Sequence, residues 1–317
     1  MNKDSVSIII PCFNGEKYLE AAIISVLNQS YKNFNLFLIN NGSTDNSLEI
    51  MRKFEKIDSR IKVISYEEKT SRGHSVNEIL NISNDKWISL LDTDDIMLPH
   101  KTEIQINFLK KNPSVKIVSG LGTYINTENN KTYGISVSPI VDFNTCFELI
   151  NRGKNISTIP SCVIFDRNIV KEIGGFRDKF WPADDTDLWN RIVENGHILF
   201  IIQKVLIKYR IHSESITYTD FIKGKIIGKW MNHCLNLRLK RKKEISFEEF
   251  FLSYKKKNII YKIVFYSKNY SNFFFRQCIV YMINRNYIKL FMSMFISLIL
   301  DPMNFLKKIM SRMQKIF

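Results

Sequence analysis

The sequence predicts an α/β protein: a mostly parallel central sheet with helices on both faces, followed by a helical, basic C-terminal region. Three observations lead there. Short β-branched runs alternate with amphipathic stretches at the spacing of strand–helix units. The runs themselves are almost wholly apolar, as strands covered on both faces should be. Beyond residue 220 the strand pattern stops and lysines interleave with aromatic residues.

Taken in order, "VSIII" (6–10), "NLFLIN" (35–40), "IKVIS" (61–65), "WISLL" (87–91) and "VKIVS" (115–119) read as strands. Between them, 16–29, 44–56, 74–83 and 98–112 read as helices. Thr44 or Ser43 is placed to cap the second, and Pro99 to open the fourth. From 120 to 215 the pattern is mixed, with strands at 162–166 and 198–203 and a helix around 185–195. In parallel sheets ligands bind beyond the carboxyl ends of the strands. Asn40 and Asn41 end the second strand, and Asp92, Asp94 and Asp95 follow the fourth, so polar clusters stand where a ligand site belongs.

The 317 residues suffice for one large α/β domain and an appendage. Five scattered cysteines without a C-x-x-C pair suggest neither a disulfide framework nor a zinc site, and fit a reducing compartment. The first fifteen residues lack the apolar region and cleavage site of a secretory signal. The net charge of +15 is unevenly placed. Residues 1–220 hold 26 basic and 27 acidic side chains, while residues 221–317 hold 20 and 4. The excess charge therefore belongs to the last third, and the two parts need separate explanations.

Three carboxylates after a buried strand require a partner, because like charges repel and burial is costly. One partner is a divalent cation: a magnesium-type site uses one or two carboxylates plus phosphate oxygens. The other reading is a solvated acidic turn capping the next helix. "ADDTDLW" (183–189) is a second acidic group, opening a helix whose Leu188, Trp189 and Ile192 share an apolar face. Asp184 and Asp185 precede that helix and either is placed to cap it, and Asp187 reads as structural.

In sequence order, several motifs together resemble the family 2 glycosyltransferases of the GT-A fold, over roughly residues 4–215. "SIIIPCFNGEKYLEAAIISVLNQSYKNF" resembles the opening strand, turn and helix; "LINNGSTDNS" resembles the nucleotide-contacting strand end. "WISLLDTDDIMLPHK" resembles the metal-binding aspartate motif. "IGGFRDKFWPADDTDLWNRIVENG" is similar to the glycine pair followed by the acidic motif of the catalytic base. "YRIHSES" is similar to the late segment whose histidine reaches metal or pyrophosphate.

The resemblance implies a domain at 1–220, with a nucleotide-sugar half (1–119) and an acceptor half (120–220), then a helical, basic, membrane-associated region at 221–317. Asp94 is implied as the main ligand of Mn²⁺ or Mg²⁺, with Asp92 assisting and His212 a further candidate for metal or pyrophosphate. Asp185 is implied as the base, with Asp184 where the family often has Glu. Pro11, Phe13 and Asn14 would line the base pocket, with Glu16 near the ribose. Asn40-Asn41 replaces the usual acidic pair. An amide donates as well as accepts, so Asn41 can still accept from uracil N3–H, but the claim for uridine weakens. Asn77 matches the motif before the aspartates. Val76 stands where a basic residue is common, and Arg72 is a substitute. Gly174-Gly175 would admit a donor sugar, Arg210 would pair with a phosphate or an ordinary carboxylate, and Trp181 would stack on an acceptor ring or pack in the core.

These parts imply transfer, inverting in stereochemistry, of a sugar from a nucleoside-diphosphate donor to a glycan or lipid-linked glycan. The implied setting is surface-polysaccharide assembly, such as capsule or lipopolysaccharide, at the cytoplasmic inner face of the plasma membrane. A catalytically degenerate scaffold is the alternative. A sugar nucleotidyltransferase is disfavoured because "PCFNGEKY" has one glycine where a phosphate loop needs several. In the tail, 287–300 is too short to span a bilayer, which needs about 20 residues. "NFLKKIMSRMQKIF" (304–317) is a basic amphipathic segment suited to an anionic membrane surface. Packing as an appendage comes second, and nucleic-acid binding is not expected.

Overall fold

The computed structural model describes residues 4–127, 131–212, 215, 219–283 and 285–313. Its chain divides into two units, residues 1–125 with 134–210, and residues 126–133 with 211–317.

The first unit is built on one sheet. Strands β1 (Val6–Cys12), β2 (Phe34–Asn41), β3 (Ile61–Tyr66) and β4 (Trp87–Leu90) are followed by the short β5 (Ile96–Met97). Then come β6 (Val115–Ile125), β7 (Thr132–Ile135), β8 (Ile164–Asp166) and β9 (Ile198–Arg210). The sheet runs β3-β2-β1-β4-β8-β6-β9-β5, with β7 beside β6. β1 pairs in parallel with β2 and β4, β2 with β3, and β6 with β9. Short β8 lies antiparallel between β4 and β6, and β5 lies antiparallel to β9. The sheet is thus mostly parallel, with an antiparallel insertion at its centre formed by β8, which lies within the strand expected at 162–166.

Helices α1 (Glu16–Leu27), α2 (Ser47–Ile57), α3 (Arg72–Ile82) and α4 (Lys101–Lys111) connect the first strands. On α1, Leu19, Ala22, Ile23 and Val26 recur at helical spacing and are fully buried against Ile8 and Ile10 of β1. The proposed caps are corrected: α2 has Asn46 at its cap position and α4 has His100, each without a side-chain cap bond. Helix α4 starts two residues after Pro99, because the Pro99 carbonyl is engaged by the Ser30 N–H at 2.8 Å. Ser71 does cap α3, accepting from the His74 N–H. Further on lie α5 (Thr145–Asn151), α6 (Arg167–Glu172) and α7 (Asp184–Glu194).

The second unit carries α8 (Phe221–Leu239), α9 (Phe247–Lys255), α10 (Ile259–Ile283), α11 (Tyr287–Leu300) and α12 (Pro302–Met313). Ser246 and Glu249 form a reciprocal capping box at α9. The Lys229 ammonium of α8 sits 4.0 Å from the Phe265 ring centre and donates to the Tyr261 hydroxyl at 3.0 Å. No described helix is long and apolar enough to cross a membrane.

Candidate active site

The aspartate loop begins where β4 ends. Its three carboxylates are sorted by direction. Asp95 turns inward and is 1% exposed, accepting from the Ser161 hydroxyl at 2.5 Å and the Arg210 N–H at 2.9 Å. Burial pushes its carboxyl well up, and the charges of Asp94 and Asp92 add to that. Ser161 also accepts from the Asp92 N–H at 3.0 Å, and the Arg210 Nε donates to the Asp94 carbonyl at 2.9 Å. Asp95 thus fastens the loop, and Asp92 and Asp94 are left partly open to solvent. Ser161, in the unpatterned stretch "PSC", is a site residue that no sequence signal marks.

Several hydrogen bonds lace the first turn to the segment after β2. The Asn14 Oδ1 accepts from the Thr44 N–H (2.8 Å), and the Asn14 N–H donates to the Ser43 hydroxyl (3.0 Å). The Gly15 N–H donates to the Ser47 hydroxyl (2.9 Å), and Glu16 Oε2 accepts from the Asn46 N–H (3.0 Å). Asn14 holds φ 51°, a left-handed conformation that asparagine tolerates better than most residues. A Cβ on Gly15 would stand 2.4 Å from Thr93 Cγ2, so glycine lets this turn touch the aspartate loop. The Thr93 hydroxyl donates to the Pro11 carbonyl at 3.0 Å from the other side. Asn14 and Glu16 therefore hold the turn together, while Phe13 is 42% exposed with the Lys69 ammonium 4.2 Å over its ring. Lys69 is a second residue that sequence reading passed over.

The asparagine pair divides its work. Asn40 is spent internally, donating to the Ser65 hydroxyl and accepting from the Ser43 N–H, each at 2.9 Å. Asn41 is 4% exposed, and its Oδ1 is buried without a hydrogen-bond partner. An unmet buried acceptor costs about 1–3 kcal/mol, so a ligand N–H at this strand end would relieve it.

Helix α7 carries the second acidic group in its first turn. Ala183 occupies the cap position, so neither Asp184 nor Asp185 caps the helix. Arg72, the first residue of α3, joins the two acidic groups: Nη1 reaches Asp92 Oδ1 at 3.4 Å and Nη2 reaches Asp184 Oδ1 at 3.2 Å. Its guanidinium carbon lies 5.6 Å from the centre of Trp181. Burial works against the arginine's charge, but Asp184, Asp92 and Asp185 more than offset it and hold it firmly protonated. Asp184 Oδ2 and Arg72 Nε are buried with no partner among the described residues. Asp185 accepts from the Thr186 N–H at 2.6 Å. Burial raises its carboxyl to about 6; Arg72 draws it down and Asp184 pushes it up. A carboxylate tuned upward and still ionised at neutral pH is suited to removing a proton.

Two supports fix this helix. Asp187 is fully buried between Arg177 (2.8 Å to Nε) and Arg191 (2.9 Å to Nε). Arg191 continues to the carbonyls of Ile173 and Gly175. Asn77 grips the same loop, donating to the Phe176 carbonyl at 2.9 Å and accepting from the Phe176 N–H at 2.8 Å. With both atoms used, Asn77 positions the loop. A Cβ on Gly175 would come 2.4 Å from Asn77 Oδ1, whereas one on Gly174 would meet nothing within 4 Å. Both glycines have positive φ, at 84° and 65°.

Among the described residues no three metal-ligating side chains gather. Asp92 and Asp94 still fit a divalent cation that completes its shell with substrate phosphates. Burial pushes the Asp92 carboxyl up, the Arg72 guanidinium draws it down and the charge of Asp94 raises it again, with a net shift upward. His212 falls in the second unit, and Ser213 and Glu214 of its motif lie outside the described residues.

The mostly parallel sheet with its antiparallel insertion is that of a GT-A-type fold. The profile of "Glycosyl transferase family 2" matches residues 7–174, and the chain belongs to that family. An Escherichia coli relative, the UDP-Glc:α-D-GlcNAc-diphosphoundecaprenol β-1,3-glucosyltransferase WfgD, is 31% identical over 68% of this chain and 81% of its own. An uncharacterized glycosyltransferase of Methanocaldococcus jannaschii is 27% identical over 84% of this chain and 87% of its own. The fold resembles Staphylococcus aureus TarS residues 1–349 in complex with UDP-GlcNAc, with a TM-score of 0.59 at 15% identity, covering 91% and 89% of the two chains. It also resembles the mannosyltransferase PcManGT of Pyrobaculum calidifontis in complex with GDP-Man and Mn²⁺, with a TM-score of 0.56 at 15% identity, covering 75% and 65%.

Proposed function

We propose that this family 2 glycosyltransferase is an inverting, divalent-cation-dependent enzyme acting on a lipid-linked glycan in surface-polysaccharide assembly. The observation that carries the reading is Arg72, whose two nitrogens reach Asp92 and Asp184 at 3.4 and 3.2 Å. The metal-type and base-type carboxylates thus share one site. The names of relatives point the same way: WfgD acts on a diphosphoundecaprenol-linked sugar.

Asp185 takes the proton from an acceptor hydroxyl. The freed oxygen attacks the anomeric carbon opposite the diphosphate, the bond to the diphosphate oxygen breaks, and the nucleoside diphosphate leaves. A divalent cation held by Asp94 and Asp92 would supply positive charge against that leaving group. Arg72 adds charge on the same side and Asn41 accepts from an N–H of the base. The role of His212 at metal or diphosphate rests on the family resemblance alone. The setting inferred is peripheral, at the cytoplasmic face of the plasma membrane, where the basic tail meets anionic lipid.

Nucleotide release from UDP-, GDP-, dTDP- and CDP-sugars, with and without Mn²⁺, tests the reading in wild type and Asp94→Ala. Metal-dependent release from one donor, lost in the variant, is expected. Equal donor binding in both proteins, with no effect of metal, would overturn it.

A further inference from the structure

Helix α11, packed on α10, is built inside out. In water, paired helices bury their large apolar side chains and expose serine and lysine. On α11 the two buried side chains are Ser293 and Ser297. Ile288 is 76% exposed and Phe295 65%, with Phe291, Met292 and Ile299 on the same open face, also mostly exposed. The seam is held by hydroxyls. Ser271 donates to the Ser297 carbonyl at 2.9 Å, and Ser297 donates back to the Ser271 carbonyl at 2.8 Å. Ser267 bonds to the Leu300 carbonyl one turn on. Small hydroxyl residues inside and large apolar residues outside are how helices pack when the surrounding solvent is hydrocarbon.

We propose that the α10–α11 hairpin is a monotopic membrane anchor, whose α11 face enters the acyl layer of an anionic bilayer. This deepens the membrane part of the function proposed above, which required only that the basic tail lie on the surface. Length fixes the mode. The 14 residues of α11 extend about 21 Å, less than the roughly 30 Å of a hydrocarbon core, and Lys289 lies in its first turn. The helix therefore lies within one leaflet. Charge selects the occupant. Residues 259–317 carry nine basic side chains and one acidic, Asp301, which is used to accept from the Asn304 N–H at the start of α12. A second copy of the chain would oppose two like-charged surfaces, whereas anionic headgroups complement this one.

The test uses the full chain. All five cysteines are buried, so Phe295→Cys takes an environment-sensitive fluorophore selectively. The expected result is a blue shift on vesicles of phosphatidylglycerol and phosphatidylcholine, with quenching by acyl-brominated lipid. The same probe at Lys56→Cys, an exposed residue of α2, should not respond. The double variant Phe291→Glu/Phe295→Glu should lose at least tenfold in vesicle affinity while donor hydrolysis is kept. Vesicle binding with the probe at 295 still in water would overturn insertion and leave surface attachment standing. No vesicle binding overturns both. Shielding of the probe without lipid, together with a dimeric mass, would assign the face to a second copy.

Discussion

Arg72 is the site's internal counter-ion. A cation arriving at Asp92 must displace one of its two ion pairs. Arg72→Met should therefore tighten Mn²⁺ binding several-fold, measured by calorimetry without donor. The same variant should slow sugar transfer tenfold or more, since the leaving group loses a positive neighbour. If metal affinity falls instead, the arginine serves only packing. Asp185 gives a second prediction. With its carboxyl at about 6, activity should rise with pH through that value and level off above it. Because the folded state raises this pKa, the stability that protonation gives is complete below the unfolded value near 4 and is lost as pH rises through 6. Asp185→Asn should abolish transfer yet raise stability at pH 7.5, by on the order of 1–3 kcal/mol, with the gain shrinking at pH 5. Thermal unfolding at both pH values decides it.

Elements show which parts of the site were legible. Acidic motifs at strand ends were, because a carboxylate beyond an apolar strand has few structural uses. One residue of each motif, Asp92 and Asp184, is brought to the Arg72 guanidinium. The residues that aim them were not, because Ser161, Arg177 and Arg191 act through contacts made by folding, at no fixed spacing in sequence. Asn77 was legible as a motif but not as a hinge pin between α3 and the 173–177 loop. Strand β8 was legible within 162–166, but its antiparallel direction was not, because direction is set by how the fold connects its strands and not by a short apolar run. The bonded network around Asp187 predicts its own cost. Asp187→Ala leaves the buried Arg191 and the partly exposed Arg177 without their shared carboxylate and should destabilise by about 3–5 kcal/mol in denaturant titration. A change within 1 kcal/mol would mean that water replaces the carboxylate.

Across the whole molecule, charge is divided by role. The sheet unit is nearly balanced, as a site for anionic nucleotides and a cation should be, and the excess of 20 basic over 4 acidic residues lies beyond residue 220. Membrane attachment and catalysis should therefore respond differently to salt. Vesicle affinity should drop steeply as ionic strength approaches 1 M, where screening acts within about 3 Å, while donor turnover in solution changes little. Parallel loss of both would place the tail's charge in the catalytic step.

The grip of Asn77 on Phe176 reaches beyond catalysis into how this enzyme can be re-engineered. A Cβ on Gly73 would stand 2.3 Å from Asp178, and one on Gly175 would stand 2.4 Å from Asn77, so α3 and the 173–178 segment are shaped to each other. A chimera importing another enzyme's 173–178 segment without its matching helix would bring a side chain into that seam. The two segments, a hundred residues apart, then have to be exchanged together.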